Sequence, residues 1–429
     1  MNKGLFAAAL CCFLLSQGDS AGETFQWPQW RGPDRTDISK ETGLLQSWPE
    51  EGPRRLWING DVGIGYSGPA IYDGRLFTMG SLPAEQAMDD KGEPLPRKEF
   101  LIALDAETGE QLWTEELGDS FPNNWGDGPR GTPTVDGKSV FALGANGDLV
   151  CVRIADGHRH WHTSLTNNLS GEIPNWGYCE SVLLDGDRLI CTPGGEQGAM
   201  AALNKYDAKV LWRSKDFTDG AQYASIIAAE NGGVRQYIQL TQQHLVGINA
   251  ENGELLWSSD WQGRVAVVPT PIFHDESVYI SSGYGVGCKL VELDSQNNAT
   301  EAYENKNMKN HHGGVIRLGD YLYGYSDGIG WVCQNFDTGD IVWKEEEALG
   351  KGAVAYADGK LYCVEEDSGT VVLIDATPDG WKEHGRFVLD PQTELRKPAG
   401  KIWTHPVIVN GKLYLRDQEL LYCYDVSAG

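Results

Sequence analysis

The chain has 429 residues, 41% of them hydrophobic, which is ample for a large core. Acidic residues outnumber basic ones 61 to 35, giving a net charge of −26. That field repels nucleic acid and anionic membrane surfaces, so both are set aside as partners, and a solvated acidic surface is expected.

The first element is a leader. Lys3 precedes an apolar run from Leu5 to Leu15, followed by Ser16-Gln-Gly-Asp-Ser-Ala21. A basic start, a short apolar stretch and small residues read as an export signal over residues 1–21, cleaved between Gly18 and Ala21. It is too short to span a bilayer, and no later stretch is apolar enough to do so. Leu10, rather than a small residue, stands before Cys11, which argues against a lipid anchor. The expected location is therefore periplasmic or secreted.

Residues 22–53 read as an N-terminal extension outside the repeat. From residue 54 onward one unit recurs with a period of roughly 40–50 residues, the mark of radial β repetition. Leu101-Ile-Ala-Leu-Asp-Ala-Glu-Thr-Gly-Glu-Gln-Leu-Trp113 returns as Leu245 to Trp257 and as Trp331 to Trp343, with looser copies at Leu149 to Trp161 and Met200 to Trp212. Each unit opens on a hairpin whose Asp-Gly or Asn-Gly turn is flanked by apolar residues, as in Pro69 to Phe77, Pro133 to Phe141 and Pro406 to Tyr414. A third strand follows, then a turn on Asp105 and Gly109, then a fourth strand ending at Trp113. The Trp ring is expected to fill the seam between neighbouring sheets.

First hairpins start near Pro69, Pro133, Val182, Ile226, Pro271, Val315, Val354 and Pro406. The unit after Pro406 lacks a fourth strand, because the sequence stops at Gly429, while Arg54-Arg-Leu-Trp57 carries that strand's signature ahead of the first hairpin. An all-β, eight-bladed propeller with four-stranded blades follows, closed by the N-terminal strand in the C-terminal blade. Two units are degenerate: Tyr303 stands for Trp in the fifth, and the seventh ends irregularly around Trp381.

The pattern Ala-x-Asp-x-x-Thr-Gly-x-x-x-Trp at Ala103 to Trp113 resembles the tryptophan-docking motif of quinoprotein-type eight-bladed propellers. The resemblance covers residues 54–429. It embraces pyrroloquinoline-quinone alcohol dehydrogenases and the outer-membrane assembly lipoprotein of the Bam complex, so it does not choose between enzyme and scaffold.

Of nine Cys, seven remain once Cys11 and Cys12 leave with the leader, and an odd number cannot all pair. Cys151, Cys333 and Cys423 occupy one repeat position, held elsewhere by Ala103, Ala202 and Gly247, and are expected to pack as small hydrophobes. A Cys179–Cys191 disulfide stays open.

Functional residues are expected where each blade's innermost strand begins beside the central channel. The positions three before the strand starts are Tyr66, Arg130, Cys179, Tyr223, Val268, His312, Lys351 and Trp403. Near them stand Asn124, Trp125, Asn175, Trp176, Glu180, His311 and His405. The ligand-binding candidates are Tyr66, Arg130, Trp176, Tyr223, His312, Lys351 and His405: cationic and His side chains would take a carboxylate, and Trp176 or Trp125 could stack on a flat ring. Hydrated polar side chains without a ligand would look the same in sequence. No metal site is expected, because adjacent His311 and His312 in a strand would point to opposite faces. Gly283-Tyr-Gly-Val-Gly287 lies between strands with no helix after it, and reads as a loop, not a dinucleotide site.

Two functions compete. A binding or scaffold propeller, monomeric and serving an exported protein or polymer partner, needs only what is visible. A pyrroloquinoline-quinone dehydrogenase for alcohols or sugars, as the resemblance implies, needs a carboxylate base and calcium held by Glu, Asn and Asp. Glu180 is the candidate base or ligand, with Asn175 or Asn124 as oxygen donors. The adjacent Cys pair found over the quinone in many such enzymes is absent outside the leader, and the binding reading is preferred.

Overall fold

The structure, a computed structural model, describes residues 24–83 and 97–429. The export signal, its cleavage point and Cys11 lie outside the described residues. Among the described residues no helix is long and apolar enough to cross a membrane.

Eight antiparallel four-stranded sheets follow one another around a ring, each built from consecutive strands except the last. The first blade comprises Ala70–Tyr72, Arg75–Leu82, Lys98–Asp105 and Gln111–Asp119. The eighth comprises Val407–Val409, Lys412–Asp417 and Leu420–Asp425, with Arg55–Asn59 as its outer strand. Trp57 pairs with Cys423, Ile58 with Tyr422 and Asn59 with Leu421. The expected eight-bladed propeller and its closure by the N-terminal strand are both present. The hairpin turns have the expected chemistry: Asp73 and Gly74 sit at φ 49° and 71°, and Asn410 and Gly411 at 55° and 68°, the left-handed pair that suits strand twist.

Most of the repeat's Trp residues lock their blade onto the next. Trp57, Trp113 and Trp212 donate their indole N–H to the carbonyls of Ala106, Ile154 and Ala250, each at the start of the repeat's turn in the following blade. The ring lies flat on that turn's glycine: a Cβ on Gly109 would stand 2.7 Å from Trp57, and one on Gly157 2.6 Å from Trp113. Tyr303 does the same work in the fifth blade, its hydroxyl donating to Phe336 carbonyl at 2.8 Å. Across the ladder from these rings sit the small residues: Trp161 faces Cys151, Trp343 faces Cys333, and Trp113 faces Ala103. The seven Cys among the described residues are all free, so Cys179 and Cys191 are not bridged.

Residues 24–53, unread in the sequence beyond being an extension, are built into the ring. In the seventh blade the Trp position is Gly385, opposite Leu373. Trp48 fills the vacated seam: its backbone N–H donates to His384 carbonyl, and its ring packs on Phe387 and Tyr362 at 5.3 and 5.8 Å. Upstream, Trp27 bridges to Ile71 in the first blade and Ile38 to Tyr356 in the seventh, so the intervening loop crosses the central channel. Arg35, 4% exposed, donates to the carbonyls of Ser181, Val182 and Ile226, and Arg31 to that of Val315. The channel is plugged by a segment whose cations bond carbonyls in or just before the innermost strands of several blades.

Candidate functional site

Above this plug the channel mouth opens into a cavity of about 300 Å³. Tyr66, Arg130, Cys179, Tyr223, Val268, His312, Lys351 and Trp403, one from each blade, all line it. The reason is local: each residue stands just before an innermost strand, and the ring symmetry aims those eight entries at one axis. Trp176 also lines the cavity, and Trp125 forms its rim, 49% exposed. Sequence reasoning missed Trp30, Tyr284 and Glu366. Trp30 comes from the plug. Glu366 follows the second strand of the seventh blade, where the repeat carries no distinguishing signal.

Four candidates fall elsewhere. His405, 4% exposed, sits below the cavity, with Nδ1 on Asp37 Oδ2 at 2.9 Å and Nε2 on the His312 carbonyl at 2.8 Å. It stands two residues before its strand, nearer to it than Trp403, and so meets the plug. Glu180 is buried at 2% exposure; its carboxylate accepts the Thr192 N–H and does not line the cavity. Asn124 and Asn175 are also absent from its wall.

His311 and His312 depart from the expected geometry. They precede their blade's first strand, Val315–Leu318, instead of lying in it, so their rings stack 3.6 Å apart and both line the cavity. The stack continues in a chain: Tyr284 meets His311 at 4.3 Å, His312 meets Trp403 at 4.6 Å, and Trp403 meets Tyr66 at 4.9 Å. Arg130 closes it, its guanidinium 4.5 Å from the Tyr66 ring centre. On another wall Trp176 packs on Tyr223 at 5.7 Å.

The charges are arranged unevenly. Lys351 is paired with Asp327 at 2.8 Å, and Lys401 with Asp367. Arg130 has no carboxylate at ion-pair distance among the described residues; its one bond runs to the Gly126 carbonyl at 2.9 Å. Burial and Lys351 hold His311 down to about 3, so it is neutral. Because Lys351 Nζ donates to His311 Nδ1 at 2.7 Å, the ring proton resides on Nε2, which has no partner. Burial, with His311 beside it, likewise keeps His312 well below the usual range. Glu366, accepting from Trp403 Nε1 at 3.1 Å, is pushed up to about 7 by burial. Burial raises the Cys179 thiol to about 12, too high for a ready nucleophile.

This donor set does not fit calcium with a quinone. Glu366 is the only carboxylate in the cavity wall among the described residues, and burial favours its neutral form. Among the described residues no group of three or more His, Cys, Asp or Glu is placed to hold a metal. Calcium wants six or more oxygen ligands, several of them charged.

The family model described as outer membrane protein assembly factor BamB matches residues 97–345, more than half of the chain. The BamB of Yersinia pestis is 23% identical over 337 residues, covering 75% of this chain and 68% of that protein. The crystal structure of BamB from Moraxella catarrhalis superposes with a TM-score of 0.51 at 14% identity, over 81% of this chain and 97% of that one. Quinohemoprotein alcohol dehydrogenase from Comamonas testosteroni superposes at 0.62 and 10% identity, over 94% of this chain and 81% of that one. At such identities the structural likenesses show the fold alone.

Proposed function

The chain belongs to the outer membrane protein assembly factor BamB family, and from that membership we propose that it is an exported binding or scaffold propeller that works by its channel mouth. The observation that carries this reading is the convergence of one residue from every blade on a single aromatic cavity. A cavity this apolar, with few and specific polar groups, is the usual form of a small-molecule site. The leader supports a periplasmic or secreted location, and the relatives' description as outer membrane protein assembly factors supports an exported protein as partner. The acidic surface, at −26, suits a soluble module held apart from anionic lipid.

The competing dehydrogenase reading is tested directly. Full-length protein mixed with pyrroloquinoline quinone and calcium should retain no quinone absorbance after desalting. It should also catalyse no dye-linked oxidation of alcohols or sugars. Retained quinone together with turnover, both lost in Arg130→Gln, would overturn the binding-module reading.

A further inference from the structure

Resting on that reading and deepening it, we propose that the mouth cavity is a subsite for one acidic sugar, a pyranose ring bearing a carboxylate, taken free or as the end of a polysaccharide. The walls supply the first requirement. The arc from Tyr284 through His311, His312 and Trp403 to Tyr66 presents adjoining ring faces and edges. A pyranose offers a face of C–H groups, which packs on electron-rich rings without losing its hydroxyl hydrogen bonds, since those point outward from the ring edge.

The charge supplies the second. Lys351 and Lys401 are already offset by Asp327 and Asp367, whereas Arg130 faces the cavity without a carboxylate, its Nε buried and unpartnered. A guanidinium in that state gains from one ligand carboxylate at short range. The site asks for a single negative charge.

The third requirement separates a sugar acid from a flat aromatic acid. Ser181 and Ser225 line the cavity, and their hydroxyl oxygens accept the backbone N–H groups of Thr132 and Ser181, leaving each hydroxyl hydrogen to be given away. His311 Nε2–H is a further donor without a partner, and Glu366 an acceptor 4.0 Å from His312 Nδ1. An aromatic acid would satisfy Arg130 and leave the two serine hydroxyl hydrogens and His311 Nε2–H unpaired, which costs binding energy. Several hydroxyls around one ring satisfy them. The cavity volume, about 300 Å³, suits a single ring rather than a chain, and the exposed Trp125 marks an open rim by which a longer chain could leave.

Titration of full-length protein, read by intrinsic tryptophan emission and by thermal midpoint, tests this with D-galacturonate, D-glucuronate, a galacturonate tetramer, D-galactose and benzoate. One of the two uronates should bind saturably, at least tenfold tighter than D-galactose or benzoate. Arg130→Gln should weaken that uronate at least tenfold. The methyl ester of the uronate, tested on the unaltered chain, should lose as much, which keeps the charge criterion independent of any variant's folding. A tetramer that binds tighter than the monomer identifies the chain end as ligand, and equal binding identifies the free sugar acid. Benzoate binding as well as the uronates, an ester binding as well as the acid, or no saturable binding by either uronate overturns the assignment. Those results leave the binding-module reading standing, whereas quinone-dependent turnover would remove it.

Discussion

Arg416 shows how much one buried cation can organise. It is 1% exposed and donates to the carbonyls of Gly63, Ser67, Met79 and Gln418 and to the Thr78 hydroxyl, tying the last blade to the first. Burial lowers its pKa to about 9, yet the guanidinium keeps its proton at neutral pH because five oxygens surround it. Arg416→Met should cost at least about 3 kcal/mol, since several buried acceptors lose their donor at once. The measurement is the denaturant midpoint at unchanged slope. Arg416→Lys should recover little of the loss, because one ammonium cannot span that set of acceptors. Arg35 and Arg31 follow the same logic in the plug. None of the three is marked by a motif in the sequence.

At the scale of the element, the seam is the unit of stability. Gly109 and Gly359 both have left-handed backbones, at φ 73° and 80°, but only Gly109 lies beneath a Trp, while Gly359 has nothing within 4 Å. Gly359→Ala should therefore cost roughly 1 kcal/mol, the backbone penalty alone. Gly109→Ala should cost roughly 2–4 kcal/mol, because the added methyl also displaces the Trp57 ring. Comparing the two by thermal melts isolates the seam, and equal losses would show that the ring yields freely. The seventh blade tests the rule from the other side. Its ladder puts Gly385 where Trp belongs, and Trp48 arrives from the extension to fill the gap. The irregularity around Trp381 was visible in the sequence; its remedy lay more than three hundred residues away and carried no repeat signature.

For the whole molecule, pH is the most direct probe. Burial pushes Glu99, Glu180 and Glu366 each up to about 7. Folding therefore favours their neutral forms. The stability they contribute is complete below the ordinary carboxylate value near 4.5 and is lost as pH rises through about 7. The melting temperature should fall between pH 5 and pH 8, and Glu99→Gln should flatten that fall by up to about 3 kcal/mol. Glu99 accepts the Ala145 N–H at 2.8 Å across the first two blades, so Gln can keep one acceptor there. An unaltered pH slope would show that the overall negative charge, rather than this carboxyl, governs the trend. Sequence alone determined the blade count, the closing strand and the eight cavity-lining positions, because hairpin turns, strand alternation and the Trp register are local patterns that ring symmetry carries to one axis. Only the tertiary structure decided that Glu180 and His405 turn away from the cavity, that Glu366 enters it, and that residues 27–39 plug the channel. Side-chain direction and long-range insertion depend on what packs against a residue from distant blades, and no local spacing encodes that.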